Sequence, residues 1–119
     1  MGFLLTVLTH RPVSVRCSPA LGNRALVTFK KTEKIPAHSV TVLVSTNLHS
    51  VSTVDNKVTV YGTDRLVAKA GNTLVAAKSI LKTLEAITGT PSGLDTLSLV
   101  GVKDLVVEGT DNWAIDILR

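Results

Sequence analysis

Aromatic side chains are almost missing from this sequence: two Phe, one Tyr and one Trp among 119 residues. Binding unpaired bases by stacking normally takes several clustered rings, so nucleic-acid contact would have to run mainly through phosphates. Cysteine is limited to Cys17, which excludes an internal disulfide framework and a cysteine-based zinc site. No apolar run approaches the roughly 18 residues of a membrane span. The apolar start Phe3 to Leu8 has no basic region before it and is short for a secretory signal core. There is no Asn-x-Ser/Thr sequon. These absences fit an intracellular setting or a virion assembled inside a cell. Met1-Gly2-Phe3-Leu4-Leu5-Thr6 also fits the loose pattern for myristoylation of Gly2, although the same residues read equally well as a first strand.

What is abundant is β-branched. Seventeen Val, five Ile and fifteen Thr make up close to a third of the chain, a composition that leans towards strands. With 45% apolar and 18% charged residues, the chain is neither disordered nor a coiled coil. Its length fits one domain, residues 1–119. The net charge of +4 hides an asymmetry. Residues 1–82 hold eleven Lys and Arg against three acids, whereas residues 83–119 hold two against six. Such a split suggests partners of opposite sign, one of which could be another copy of the chain.

Apolar alternation places strands at 3–9, 12–17, 24–31 and 39–46, the last with Val40, Val42 and Val44 on one face. Residues 49–54 and 57–62 flank Asp55-Asn56, two turn formers between alternating runs, which predicts a hairpin. A two-residue loop pairs Val54 with Lys57, Ser52 with Thr59 and Ser50 with Tyr61. Val51, Thr53, Val58 and Val60 then form a greasy face, and the opposite face stays wet. A helix is expected over 73–88, capped by Asn72 and stopped by Gly89 and Pro91. Its buried stripe would be Leu74, Ala77, Leu81 and Leu84, widened by Ile80 and Ile87, with Lys82 and Glu85 free to pair outside. Gly71 argues for a break between residues 65–70 and this helix. Residues 97–102, 105–108 and 113–118 read as further strands, with a second helix over 94–107 as the competing reading. The expected fold is α+β: a mostly antiparallel sheet built from hairpins, with the long helix packed on one face.

Catalytic constellations are thin. His10, His38 and His49 are scattered, and Ser92 in Gly89-Thr90-Pro91-Ser92-Gly93 is off-centre for a nucleophile elbow. Lys78-Ser79 lacks the glycine of a phosphate loop, and Gly71-Asn72-Thr73 reads as an ordinary helix start. Asp104, Glu108, Asp111 and Asp116 match no calcium loop. The chain therefore reads as a non-enzyme with no cofactor and no metal. The basic residues carry the functional expectation: Arg16, Arg24, Lys30, Lys31, Lys34 and Lys57, with Tyr61, as a nucleic-acid-binding face. Lysines that protect a strand edge from aggregation are the structural alternative. In overall plan the chain resembles the small coat proteins of single-stranded RNA phages: successive hairpins, then a helix, at similar length. It departs from them in having strands after the helix. That resemblance implies a self-assembling structural protein that holds RNA against its sheet. The competing expectation is a small adaptor or subunit that binds protein and no nucleic acid.

Overall fold

The computed structural model describes residues 6–8, 12–17, 25–29, 34–94, 96–105, 108–112 and 114–119. In chain order the strands are β1 (Thr6–Leu8), β2 (Pro12–Cys17), β3 (Ala25–Phe29), β4 (Leu43–Ser45), β5 (His49–Ser52) and β6 (Val58–Gly62). Two helices follow, α1 (Asp64–Lys69) and α2 (Gly71–Thr88), and then β7 (Leu97–Gly101), β8 (Gly109–Asn112) and β9 (Ile115–Leu118). β1 pairs antiparallel with β4, and β2 with β3 through a ladder irregular between Pro12 and Ser14. The main sheet has five strands in the order β5-β6-β7-β9-β8.

That sheet corrects the expectation of a mostly antiparallel one. β5–β6 and β8–β9 are antiparallel, but β6–β7 and β7–β9 are parallel. The reason is the connection. Parallel neighbours need a crossover, usually helical, and α1 with α2 supplies it between β6 and β7. The fold is α+β with a mixed sheet and one long helix.

The β5–β6 register is the one the alternation implies, with Ser50 opposite Tyr61 and Ser52 opposite Thr59. The loop is longer than two residues. Thr53 N–H bonds to Val58 O at 2.9 Å and Asn56 N–H to Thr53 O at 2.9 Å, so the ladder ends before Val54 and Lys57 can join it. Asn56, with φ of 54°, takes the left-handed position of this turn, a conformation asparagine tolerates better than most residues.

Hydrophobic periodicity decides which way the sheet faces. Val58 and Val60 are buried and pack with Ala70 and Leu74, while Val51, Ala77, Leu81 and Leu99 close the margin. On the other face Val100 and Ile115 are buried against Leu43, Leu48, Tyr61, Val102 and Ile117. The sheet is thus apolar on both sides, as strands with parallel neighbours tend to be. The side of β6 expected to stay wet is covered where Tyr61 meets this second cluster.

The helix differs in two respects from its sequence reading. Helical structure begins at Asp64, and Ala70, with αR dihedrals, joins α1 to α2, so Asn72 lies inside the first turn and caps nothing. The far end is as expected, with Gly89 at φ of 65°. The buried stripe is also narrower. It runs through Ala70, Leu74, Ala77 and Leu81, and Ile80, Leu84 and Ile87 remain 58%, 51% and 76% exposed. Of the expected 39–46 strand only Leu43–Ser45 forms, Ser39 belongs to a 3-10 turn, and Val40, Val42 and Val44 are all exposed. Residues 97–101 are a strand, as the valines suggest; the next strand among the described residues is Gly109–Asn112, and residues 106 and 107 of the expected 105–108 strand lie outside the described residues.

This burial pattern predicts sharply different costs for similar truncations. For the dissociated chain, Ile115→Ala should cost about 2–5 kcal/mol in urea unfolding, and Ile87→Ala less than about 0.5 kcal/mol. Comparable losses there would mean that Ile87 is covered within the chain itself.

Candidate functional site

Among the recesses formed by the described residues, two lie on the α1–α2 side of the sheet, one at each end of the parallel strands. The first is a groove of about 250 Å³ at the start of β6 and β7, lined by Lys57, Lys78 and Lys82 together with Asp55, Glu85 and Ser92. The second is an open crevice of about 530 Å³ past the ends of β6, β7 and β9, lined by Arg65, Lys69 and Arg119 with Thr63 and Thr73. The strands impose their separation. β6 has five residues, which at about 3.3 Å per residue span roughly 16 Å.

The groove is organised by Asp55. Lys78 Nζ of α2 lies 2.8 Å from Asp55 Oδ2. Thr53 Oγ1 donates to Asp55 Oδ1 at 2.6 Å, and the Lys57 N–H donates to the same oxygen at 3.3 Å. Thr53 Oγ1 in turn accepts the Val58 N–H at 3.2 Å. The Lys78 hydrogen bond first, then those from Thr53 and the Lys57 amide, hold the Asp55 carboxyl far below the usual carboxylate range. Glu85 does not pair with Lys82. Its Oε1 accepts the Ser92 N–H at 2.7 Å, tying the loop after α2 back to the helix. Among the described residues, Lys57 and Lys82 have no acidic partner within salt-bridge distance.

The crevice depends on two glycines. A Cβ on Gly62 would come within 2.9 Å of Leu66 Cδ2, and one on Gly101 would collide with Leu66 Cδ1. Glycine at these strand ends lets Leu66 lie flat against the sheet and form an apolar floor with Leu99 and Leu118. Arg65, Lys69 and Arg119 rim the crevice, and no Asp or Glu is among its lining residues. Asp64 turns elsewhere, with Oδ1 lying 3.1 Å from His49 Nδ1 in an exposed pair. Asp104 and Glu108 stand on the connection leaving the same end of β7, outside the lining.

The residues singled out from sequence are only partly placed. Lys57 lies in the groove, and Lys34 is exposed before the short 3-10 turn at Ala37–Ser39. Arg16 is the register partner of Leu26 in the β2–β3 ladder, and Arg24, Lys30 and Lys31 lie outside the described residues. Tyr61 is half-buried in the second apolar cluster, where desolvation raises its phenol pKa against an opposing hydrogen bond with Ser98. Its ring is used in packing. The sequence reading missed Arg65, Lys69 and Arg119. Arg65 and Lys69 stand four residues apart on one helix, so their shared face was readable once α1 was recognised. Arg119 joins them only through the parallel pairing of β7 and β9.

No helix among the described residues is long and apolar enough to cross a membrane. No group of three or more His, Cys, Asp or Glu among them could hold a metal ion. No protein-family model matches the chain, and no curated protein matches it.

The Asp55 cluster makes a prediction with a definite sign. A depressed folded-state pKa contributes stability above the ordinary value of 3.8, and that contribution is lost as pH falls below it. Carboxyl carbon shifts in NMR should show Asp55 still ionised where ordinary aspartates are half protonated, and Lys78→Ala should move its midpoint up towards 3.8. An ordinary Asp55 midpoint in the unsubstituted protein would mean that the cluster does not form.

Proposed function

We propose that this chain is a non-enzymatic, self-assembling structural protein that binds nucleic acid, RNA by preference, through a basic surface. The observation that carries this reading is the set of cations at the two recesses. Lys57 and Lys82 at one end, and Arg65, Lys69 and Arg119 at the other, lack an acidic partner within salt-bridge distance among the described residues. Cations distributed over roughly 16 Å suit a ligand with repeated phosphates better than a single small anion. Thr63, Thr73 and Ser92 add hydroxyls at the recess walls, and a ribose 2′-hydroxyl is a partner that DNA lacks. This moves the contact surface from the early strands to the helix-bearing side of the main sheet. Self-assembly draws support from the apolar flank of α2, where Ile80, Leu84 and Ile87 stand four and three residues apart and exposed.

The same flank favours the second reading, an adaptor that docks on another protein and touches no nucleic acid. Purification at low salt separates the two. The RNA-binding protein should elute as an oligomer with a raised 260/280 nm absorbance ratio that high salt abolishes; the adaptor should elute clean and monomeric. Affinity for a single-stranded RNA should fall with salt, the log–log slope steepening by about 0.7 for each phosphate neutralised. Lys57→Ala and Lys82→Ala should each flatten it by about that amount. Absence of RNA binding at low salt would overturn the proposal.

A further inference from the structure

From the crevice past the ends of β6, β7 and β9 we infer a second, discrete activity: it is a pocket for a single nucleoside monophosphate. The volume of about 530 Å³ lies within the usual range for small-molecule sites. Its position is the one at which α/β sheets generally hold ligands, outside the carboxyl ends of parallel strands. Its lining divides by chemistry. Leu66, Leu99 and Leu118 give an apolar floor, whereas Arg65, Lys69 and Arg119 give three basic side chains with no Asp or Glu among the lining residues. A ligand matched to both parts has a flat apolar body and a compact anionic group. A phosphomonoester suits the cations, because guanidinium forks bind phosphate oxygens in pairs. The crevice is open along one side, so an acyl chain would leave much of its length in water, whereas a base can lie on the floor and stack under a guanidinium. Thr63 and Thr73 supply hydroxyls for the ribose. Gly62 and Gly101 keep the floor low, since a side chain at either would push Leu66 up into the space.

This goes beyond the RNA reading, because a protein can hold one nucleotide without binding a polymer. The test is titration of the full chain with AMP, adenosine and inorganic phosphate, followed by amide shifts in NMR and by calorimetry. AMP should shift amides at Thr63, Arg65, Gly101 and Arg119 and leave those at Lys57 and Lys82 in place. Adenosine and phosphate should each bind at least tenfold more weakly than AMP, since each satisfies half of the crevice. The exposed Arg65→Ala and Lys69→Ala, read with circular dichroism to show an intact fold, should each weaken AMP at least fivefold. AMP binding no tighter than phosphate, shifts centred on Lys57 and Lys82, or indifference to both substitutions would overturn the pocket. AMP binding without RNA binding would overturn the polymer reading alone, and RNA binding with no AMP site would overturn the pocket alone.

Discussion

The packing of α2 on β6 is the contact from which the rest of the molecule follows. Val58 and Val60 are removed from water by Ala70 and Leu74, with Ala77 and Leu81 at the margin, and each such side chain contributes about 1.5–3 kcal/mol when fully buried. For that stripe to lie along the strand, the chain must run back over the sheet face and re-enter beside β6 in the same direction. The parallel β6–β7 pair results, and β9 continues it on the far side of β7. One packing choice thereby sends the ends of three strands to the same side, where α1 also begins, and creates the crevice. It also brings Lys78 beside the β5–β6 turn, where Asp55 meets it.

Local features were legible in the sequence because their causes are local. The register of β5 against β6 followed from alternation, and the end of α2 from Gly89. Strand direction in the main sheet was not read from local alternation, because Leu97 to Val100 looks the same whether its neighbour runs parallel or antiparallel. The cue lay in element order: a strand, a helical crossover and another strand are the parts of a parallel unit, and reading the later strands as hairpins discarded it. The width of the helix stripe was misjudged for a related reason. Ile80, Leu84 and Ile87 have the spacing of buried residues, but periodicity records which side chains share a face and leaves open how much of that face the sheet can cover.

The site was less legible than the fold. Among the described residues, Lys57 is the expected binding residue that lines a recess, and the cations rimming the crevice come from an unexpected helix and from the end of β9. A surface site is assembled by topology from residues that have no local pattern in common, so it becomes readable only after the topology is known. Five of the bases in residues 1–82 (Lys57, Arg65, Lys69, Lys78 and Lys82) line the two recesses, and the nearby acids are paired, Asp64 with His49 and Asp55 with Lys78.

That last pairing bears on how the basic surface works. Asp55 could have neutralised the groove, but it accepts three hydrogen bonds from Lys78, Thr53 and the Lys57 amide, which leaves little of its acceptor capacity for Lys82 or for the Lys57 side chain. Glu85 is similarly committed to the Ser92 amide. The two carboxylates of the groove are thus spent on holding the turn and the loop in place. Lys57 and Lys82 line the same groove with no acidic partner within salt-bridge distance among the described residues. Accepting an amide N–H leaves the charge of Glu85 in place, so the groove's three lysines exceed its two carboxylates by one, and a modest excess of that sign produces a local field attractive to a polyanion.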